Sequence, residues 1–157
     1  MIKCYMRFNT IVSALCLFVL TGCGGQKLPE GIPKLTPAVL TITQDGAPLE
    51  GAVVSLIPMD PGNSRWNAGG VTGKDGKAKI RTHAQYDGVA AGKYRVTVVK
   101  TFVEPLPPGL TEAQRRSYKG PPPVEYVNKK YADRLKTPLE VEVGDSPLSE
   151  SFEVEKP

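Results

Sequence analysis

The sequence predicts an all-β fold: a seven-stranded antiparallel Greek-key β-sandwich carrying a proline-rich, partly helical insertion. Three observations point there. Short runs in which apolar and polar residues alternate recur from residue 38 onward, and a period of two marks a strand with one buried face. Asp-Gly, Gly-Gly and proline-containing stretches separate the runs, and these are turn chemistry. No heptad, no strand–helix alternation and no apolar run of about 20 residues competes. Gly 16 and Pro 15 among 157 residues also favour many turns over long helices.

The N-terminal segment has a character of its own. Lys3 and Arg7 precede an apolar run, "IVSALCLFVL", from Ile11 to Leu20. A charged start, a short apolar stretch and small residues after it are the layout of a secretory signal peptide, and the run is too short to span a bilayer. The cut site reads Leu20-Thr21-Gly22-Cys23. It resembles the bacterial lipobox, in which small neighbours leave the cysteine thiol accessible. The resemblance implies that Cys23 takes a diacylglyceryl group, that residues 1–22 are removed, and that the new amino group is acylated. Two or more acyl chains anchor a protein stably where one does not. Gly24 stands where an Asp favours inner-membrane retention, so the resemblance places a Gram-negative protein in the outer membrane. The expected partner is therefore the membrane, reached through an N-terminal lipid in the cell envelope.

Cysteine usage sharpens this reading. Cys4 and Cys16 fall in the removed segment, and Cys23 is modified. The mature chain then has no thiol for a nucleophile or a thiolate metal site, and His83 is its only histidine. Removing Lys3 and Arg7 lowers a balance of 20 basic and 16 acidic residues to about +2, too little to argue for nucleic acid.

Residues 23–37 read as a lipidated cysteine followed by a Pro/Gly-rich tether, "GGQKLPEGIPKLTP". The β-sandwich domain is placed at 38–157. In "AVLTIT", Leu40 and Ile42 alternate with threonines, and in "GAVVSLIP", Val54 and Leu56 share one face. Asp45-Gly46 and Pro48 supply turns between them. "NAGGVTGKDGKAKIRT" reads as a hairpin closed by Lys74-Asp75-Gly76, with Ala78 and Ile80 facing inward. "GKYRVTVV" puts Tyr94, Val96 and Val98 on one face. In the last third, Leu139, Val141 and Val143, then Phe152 and Val154, complete the inward set.

The insertion, 103–126, holds six prolines, which cannot sit in a central strand because they lack the ladder donor. Within it "LTEAQRRSYKG" reads as a short helix: Thr111 caps it, Gln114 completes a capping box and Gly120 ends it.

Taken in order, Gly46, Pro48, Gly51, Ala52 and Val54, then Thr72, Asp75 and Gly76, then Gly92, Tyr94, Val96 and Val98 resemble the carboxypeptidase-regulatory-like and transthyretin-like (prealbumin-like) sandwich domains. The later "KKYADRLKTPLEVEV" is similar to the tail of small bacterial lipoproteins. The resemblance implies a sandwich over about residues 38–155. It does not carry enzymatic activity with it, because the several histidines and C-terminal Tyr-Arg-Gly-Ser of the hydrolases in that family are missing.

No catalytic residue, metal site or cofactor is assigned. His83 alone cannot make a triad without a nucleophile, and no G-x-S-x-G occurs. Asp60, Asp75 and Asp87 lie in expected loops but lack calcium-loop spacing, and Asp-Gly is first a turn former. Trp66, Tyr86, Tyr118 and Tyr126 are candidate ligand-binding residues, as an aromatic platform for a sugar, although Trp66 and some tyrosines can equally cap an open end of the sandwich. The reading is a non-enzymatic, lipid-anchored envelope protein with a structural or adhesive module. The alternative is a carbohydrate- or peptide-binding module, whose partner is a glycan or an envelope protein.

Overall fold

The alternation is realised strand by strand in a computed structural model that describes residues 28–63 and 65–157. In chain order the strands are β1 (Leu35–Thr36), β2 (Ala38–Gln44), β3 (Ala47–Pro48), β4 (Val53–Pro58), β5 (Ala68–Val71), β6 (Lys77–Lys79) and β7 (Arg81–Thr82). There follow β8 (Tyr86–Asp87), β9 (Val89–Ala90), β10 (Gly92–Val99), β11 (Thr101–Phe102), helix α1 (Glu112–Ser117), β12 (Val124–Glu125), β13 (Glu140–Val143) and β14 (Leu148–Glu153). The seven alternating runs of the sequence are β2, β4, β5, β6 with β7, β10, β13 and β14. Strand β1 falls inside the stretch read as tether and pairs with β9. The signal segment and Cys23 lie outside the described residues.

Two sheets face each other. One has the order β13-β10-β4-β5-β7-β8, and the other is β14-β2-β3 with β6 also on β2. Within the first, β10 returns to lie beside β4, giving the order fourth-first-second-third that defines a Greek key. The inward faces are the expected ones: Leu40, Ile42, Val54, Leu56, Ala78, Ile80, Tyr94, Val96, Val98, Val141, Val143 and Val154 are all buried. Removal of such side chains from water is the main stabilising term, about 1.5–3 kcal/mol for each large one. Tyr94 is buried whole because its phenol donates to the Ala90 carbonyl at 2.7 Å. A fully buried hydroxyl without that acceptor would cost about 1–3 kcal/mol.

Three local expectations are corrected. First, Lys74-Asp75-Gly76 does not close a β5–β6 hairpin. The turn is tight, with Gly76 N–H donating to Gly73 O at 2.9 Å and Gly73 N–H to Lys77 O at 3.0 Å. It carries the chain from one sheet to the other, where β6 pairs with β2. The two strands cross instead of pairing. Gly70 permits the crossing, since a Cβ there would stand 2.6 Å from the Lys79 carbonyl. Second, β14 runs parallel to β2, from Leu148 beside Ala38 to Glu153 beside Thr43. The chain leaves β13 at Gly144 and enters the other sheet at the same end at which β2 begins, so the pair cannot be antiparallel. Third, α1 ends at Ser117, before Gly120. Tyr118, the residue after it, is extended, with φ -68 and ψ 119, and the Ser117 hydroxyl shares its one hydrogen between the carbonyls of Ala113 and Gln114 at 3.1 and 3.2 Å. The N-terminal capping box forms as expected, with Thr111 and Gln114 reciprocally bonded.

The sandwich has two distinct poles, fixed by the β4–β10 register, in which Pro58 lies opposite Tyr94 and Val53 opposite Val99. At the first pole the N-terminal chain enters. Thr36 donates to the Gly144 carbonyl at 2.7 Å, and Lys34 pairs with Asp145. At the second pole the 103–126 insertion leaves β10 as an arm whose two-stranded stem is β11 with β12. The Gln44 side-chain amide donates to the Tyr126 carbonyl there, tying the stem to the end of β2.

Candidate functional site

The first pole is built by the loop after β4. Asp60 accepts from Gly62 N–H at 2.8 Å, and Trp66 N–H donates to Asn63 O at 2.9 Å, so the loop folds on itself. The Asn63 amide fastens it to Ala91 O at 2.9 Å. This places the half-buried Trp66 edge-on to His83, with ring centroids 5.6 Å apart and planes at 68°. The Arg65 guanidinium lies 5.4 Å from the Trp66 ring centroid, within cation–π range. His83 is presented by a tight turn in which it and Ala84 both adopt left-handed backbone, φ 52 and 58. Tyr86 stands just past that turn, half-buried, opposite Thr82.

Asp87, next to Tyr86, receives a 2.6 Å hydrogen bond from Lys79 and a 3.0 Å one from Arg81. The Lys79 bond, with the charge of Arg81 beside it, holds the carboxyl below its ordinary value. Asp75 lies at the other pole, where it accepts from Lys77 N–H. The three aspartates therefore do not converge, and among the described residues no group of three or more His, Cys, Asp or Glu is placed to hold a metal. An open groove of about 340 Å³ runs on the outer face towards the first pole, lined by Ile57, Pro58, Met59, Arg95, Arg134 and Leu135.

The second pole is different in kind. On the outer face of the first sheet, Val99, Val53 and Val71 stand directly opposite one another across β10, β4 and β5. All three are exposed, at 37%, 49% and 60%. The arm adds Phe102, Val103, Leu106 and Val124, also exposed. Tyr118 is exposed at the end of α1. Tyr126 is exposed at the stem, with the Lys100 ammonium 5.3 Å from its ring centroid.

The four aromatic candidates therefore do not make one platform. Trp66 and Tyr86 sit at the first pole, where the chain enters, and Tyr118 and Tyr126 at the second, where the arm leaves. The reason is topological: β4 and β10 are antiparallel, so the loop after β4 and the insertion after β10 leave opposite ends of the sheet. The valine row was not anticipated. Its signal was in the sequence, because Val53, Val71 and Val99 are apolar at positions whose strand parity points outward.

No family model matches the chain, and no curated protein matches it. Among solved structures it is similar to the major pilin subunit of Bacillus cereus, with a TM-score of 0.45 and 17% identity, over 80% of this chain and 31% of that one. The chain thus spans about a third of the length of that pilin subunit.

Proposed function

We propose that this chain is a non-enzymatic, lipid-anchored protein of the cell envelope, with a β-sandwich that serves as a structural or adhesive module. The observation that carries the reading is Leu20-Thr21-Gly22-Cys23 at the end of an apolar run. In this reading residues 1–22 are the signal peptide, Cys23 bears the lipid, and the sandwich belongs with the carboxypeptidase-regulatory-like and transthyretin-like domains. In a Gram-negative cell the address is the outer membrane. The placement of the poles supports it: the chain enters at one end of the sandwich, and the exposed arm leaves from the other. A domain held at its entry pole offers the arm outward.

Fractionation of cells expressing the wild type and Cys23→Ser tests the anchor. The wild type should partition with membranes and the variant should not. Equal solubility of the two sinks the anchoring claim.

Trp66 supports a second reading, a glycan- or peptide-binding module. Its ring is half-exposed and flanked by Arg65 and His83 at 5.4 and 5.6 Å, an aromatic face with polar groups beside it. A glycan array or cell-wall pull-down repeated with Trp66→Ala discriminates: binding that ignores the substitution removes this reading.

A further inference from the structure

Apolar exposure is distributed very unevenly between the poles. Among the described residues, nine of the eleven exposed large hydrophobic residues lie on the arm or the valine row, and only Met59 and Leu135 lie elsewhere. Single exposed apolar residues are ordinary, but a patch beyond a few hundred Å² marks an interaction surface. The arm is also poorly supported from within. Its stem is a two-residue ladder, Thr101 opposite Glu125 and Phe102 opposite Val124, α1 buries no residue, and an isolated two-stranded ribbon is marginal in water.

We propose that this surface is the interface of a two-fold homodimer in which the arm of each copy covers the valine row of the other. Three observations select a second copy over other occupants. The chain carries both halves of the contact, a projecting apolar arm and a flat apolar row, at one pole, as an isologous interface requires. The area suffices: with exposed fractions of 37–63%, the nine side chains present roughly 800 Å² per copy, about what each partner gives a standard interface. The charges are of mixed sign, with Glu104, Glu112 and Glu125 among Lys100, Arg115, Arg116 and Lys119, which suits a copy of the same surface better than a uniformly anionic one. The seven residues Val103–Gly109 reach roughly 20 Å when extended, enough to lie across a neighbouring sheet. A two-fold axis along β10 leaves both entry poles on the same side. The contact lies at the pole opposite the one at which the described chain enters, and it does not depend on the anchor proposed above.

A charge-swap pair tests the contact. The full chain, purified in mild detergent, should be dimeric by light scattering. Leu106→Glu on the arm and Val53→Lys on the row should each give folded monomers, because both positions are exposed, with an unchanged circular-dichroism spectrum and a melting temperature that no longer depends on protein concentration. An equimolar mixture of the two variants should recover dimers: one arm then sets Glu against Lys, and the other keeps Leu against Val. A monomeric wild type, single variants that stay dimeric, or a mixture that stays monomeric overturns the arm-on-row pairing. If the Cys23→Ser chain is monomeric and binds phosphatidylglycerol vesicles through Leu106, the surface belongs to lipid and the dimer is wrong.

Discussion

The Thr72 hydroxyl accepts from the Ala52 N–H at 2.8 Å and donates to the Leu49 carbonyl at 2.5 Å. One buried side chain thus ties the turn after β5 to the link between β3 and β4, where the chain changes sheet. Thr72→Val keeps the shape and removes both bonds. Each buried group left unpaired costs about 1–3 kcal/mol, so urea denaturation should show a loss of at least ~2 kcal/mol. Thr72→Ser keeps the hydroxyl and should lose less; equal losses would mean that the methyl, not the hydrogen bonds, matters.

Burial on the inward face predicts a contrast between neighbouring strands. Leu56 is buried on β4, while Lys93 is exposed on β10. Leu56→Ala should cost about 2–5 kcal/mol through lost burial and the cavity left behind. Lys93→Ala should change stability by no more than ~0.5 kcal/mol. A small effect of Leu56→Ala would contradict the assignment of inner and outer faces.

Gly70 offers a test of the sheet crossing. Its missing Cβ lets the Lys79 carbonyl approach, and an alanine methyl would stand 2.6 Å from that oxygen. Backbone cannot yield as a flexible side chain can, so Gly70→Ala should destabilise by about 1–3 kcal/mol, the usual cost of overpacking. A neutral thermal melt would show that β5 and β6 do not approach so closely.

The pairing of Asp87 sets a pH dependence. Its carboxyl is held below the ordinary 3.8, first by the hydrogen bond from Lys79. A depressed folded-state value means that the ionised form favours folding. That contribution is fully present above about pH 4 and fades as the pH falls through the lowered value. A carboxyl-carbon NMR titration should give a midpoint below 3.8, and Lys79→Ala should move it upward. Because the pair is exposed, added salt should shrink the difference. A midpoint indifferent to Lys79→Ala would rule out the lysine hydrogen bond as the main cause of the depression.

Much of this fold was legible because alternation reports directly on burial. Val96 and Val98 point inward for the same reason that Arg95 and Val99 point outward. Thr111 and Gln114 were legible because a capping box is local chemistry. What escaped was long-range. The turn at Asp75-Gly76 has the same residues whether it joins strands of one sheet or two. The direction of β14 depends on where β13 ends, which no local pattern records. Tyr131, buried in a short 3-10 turn at Lys129–Tyr131, has no period to betray it. Its burial comes from packing against the sandwich core. The aromatic candidates failed to gather for a related reason: composition names the side chains, but strand direction decides which end each one occupies.

The parallel pair of β2 and β14 has a mechanical consequence. The chain enters β2 at the first pole and leaves β14 at the second, with six residue pairs in register between them. A pull between the entering chain and the far end of β14 therefore acts along both strands in opposite senses. It shears the ladder, loading all its rungs together, whereas a pull across the strands would open them singly. For a domain tethered at one end and gripped at the other, this is the orientation in which a short β-ladder resists force best.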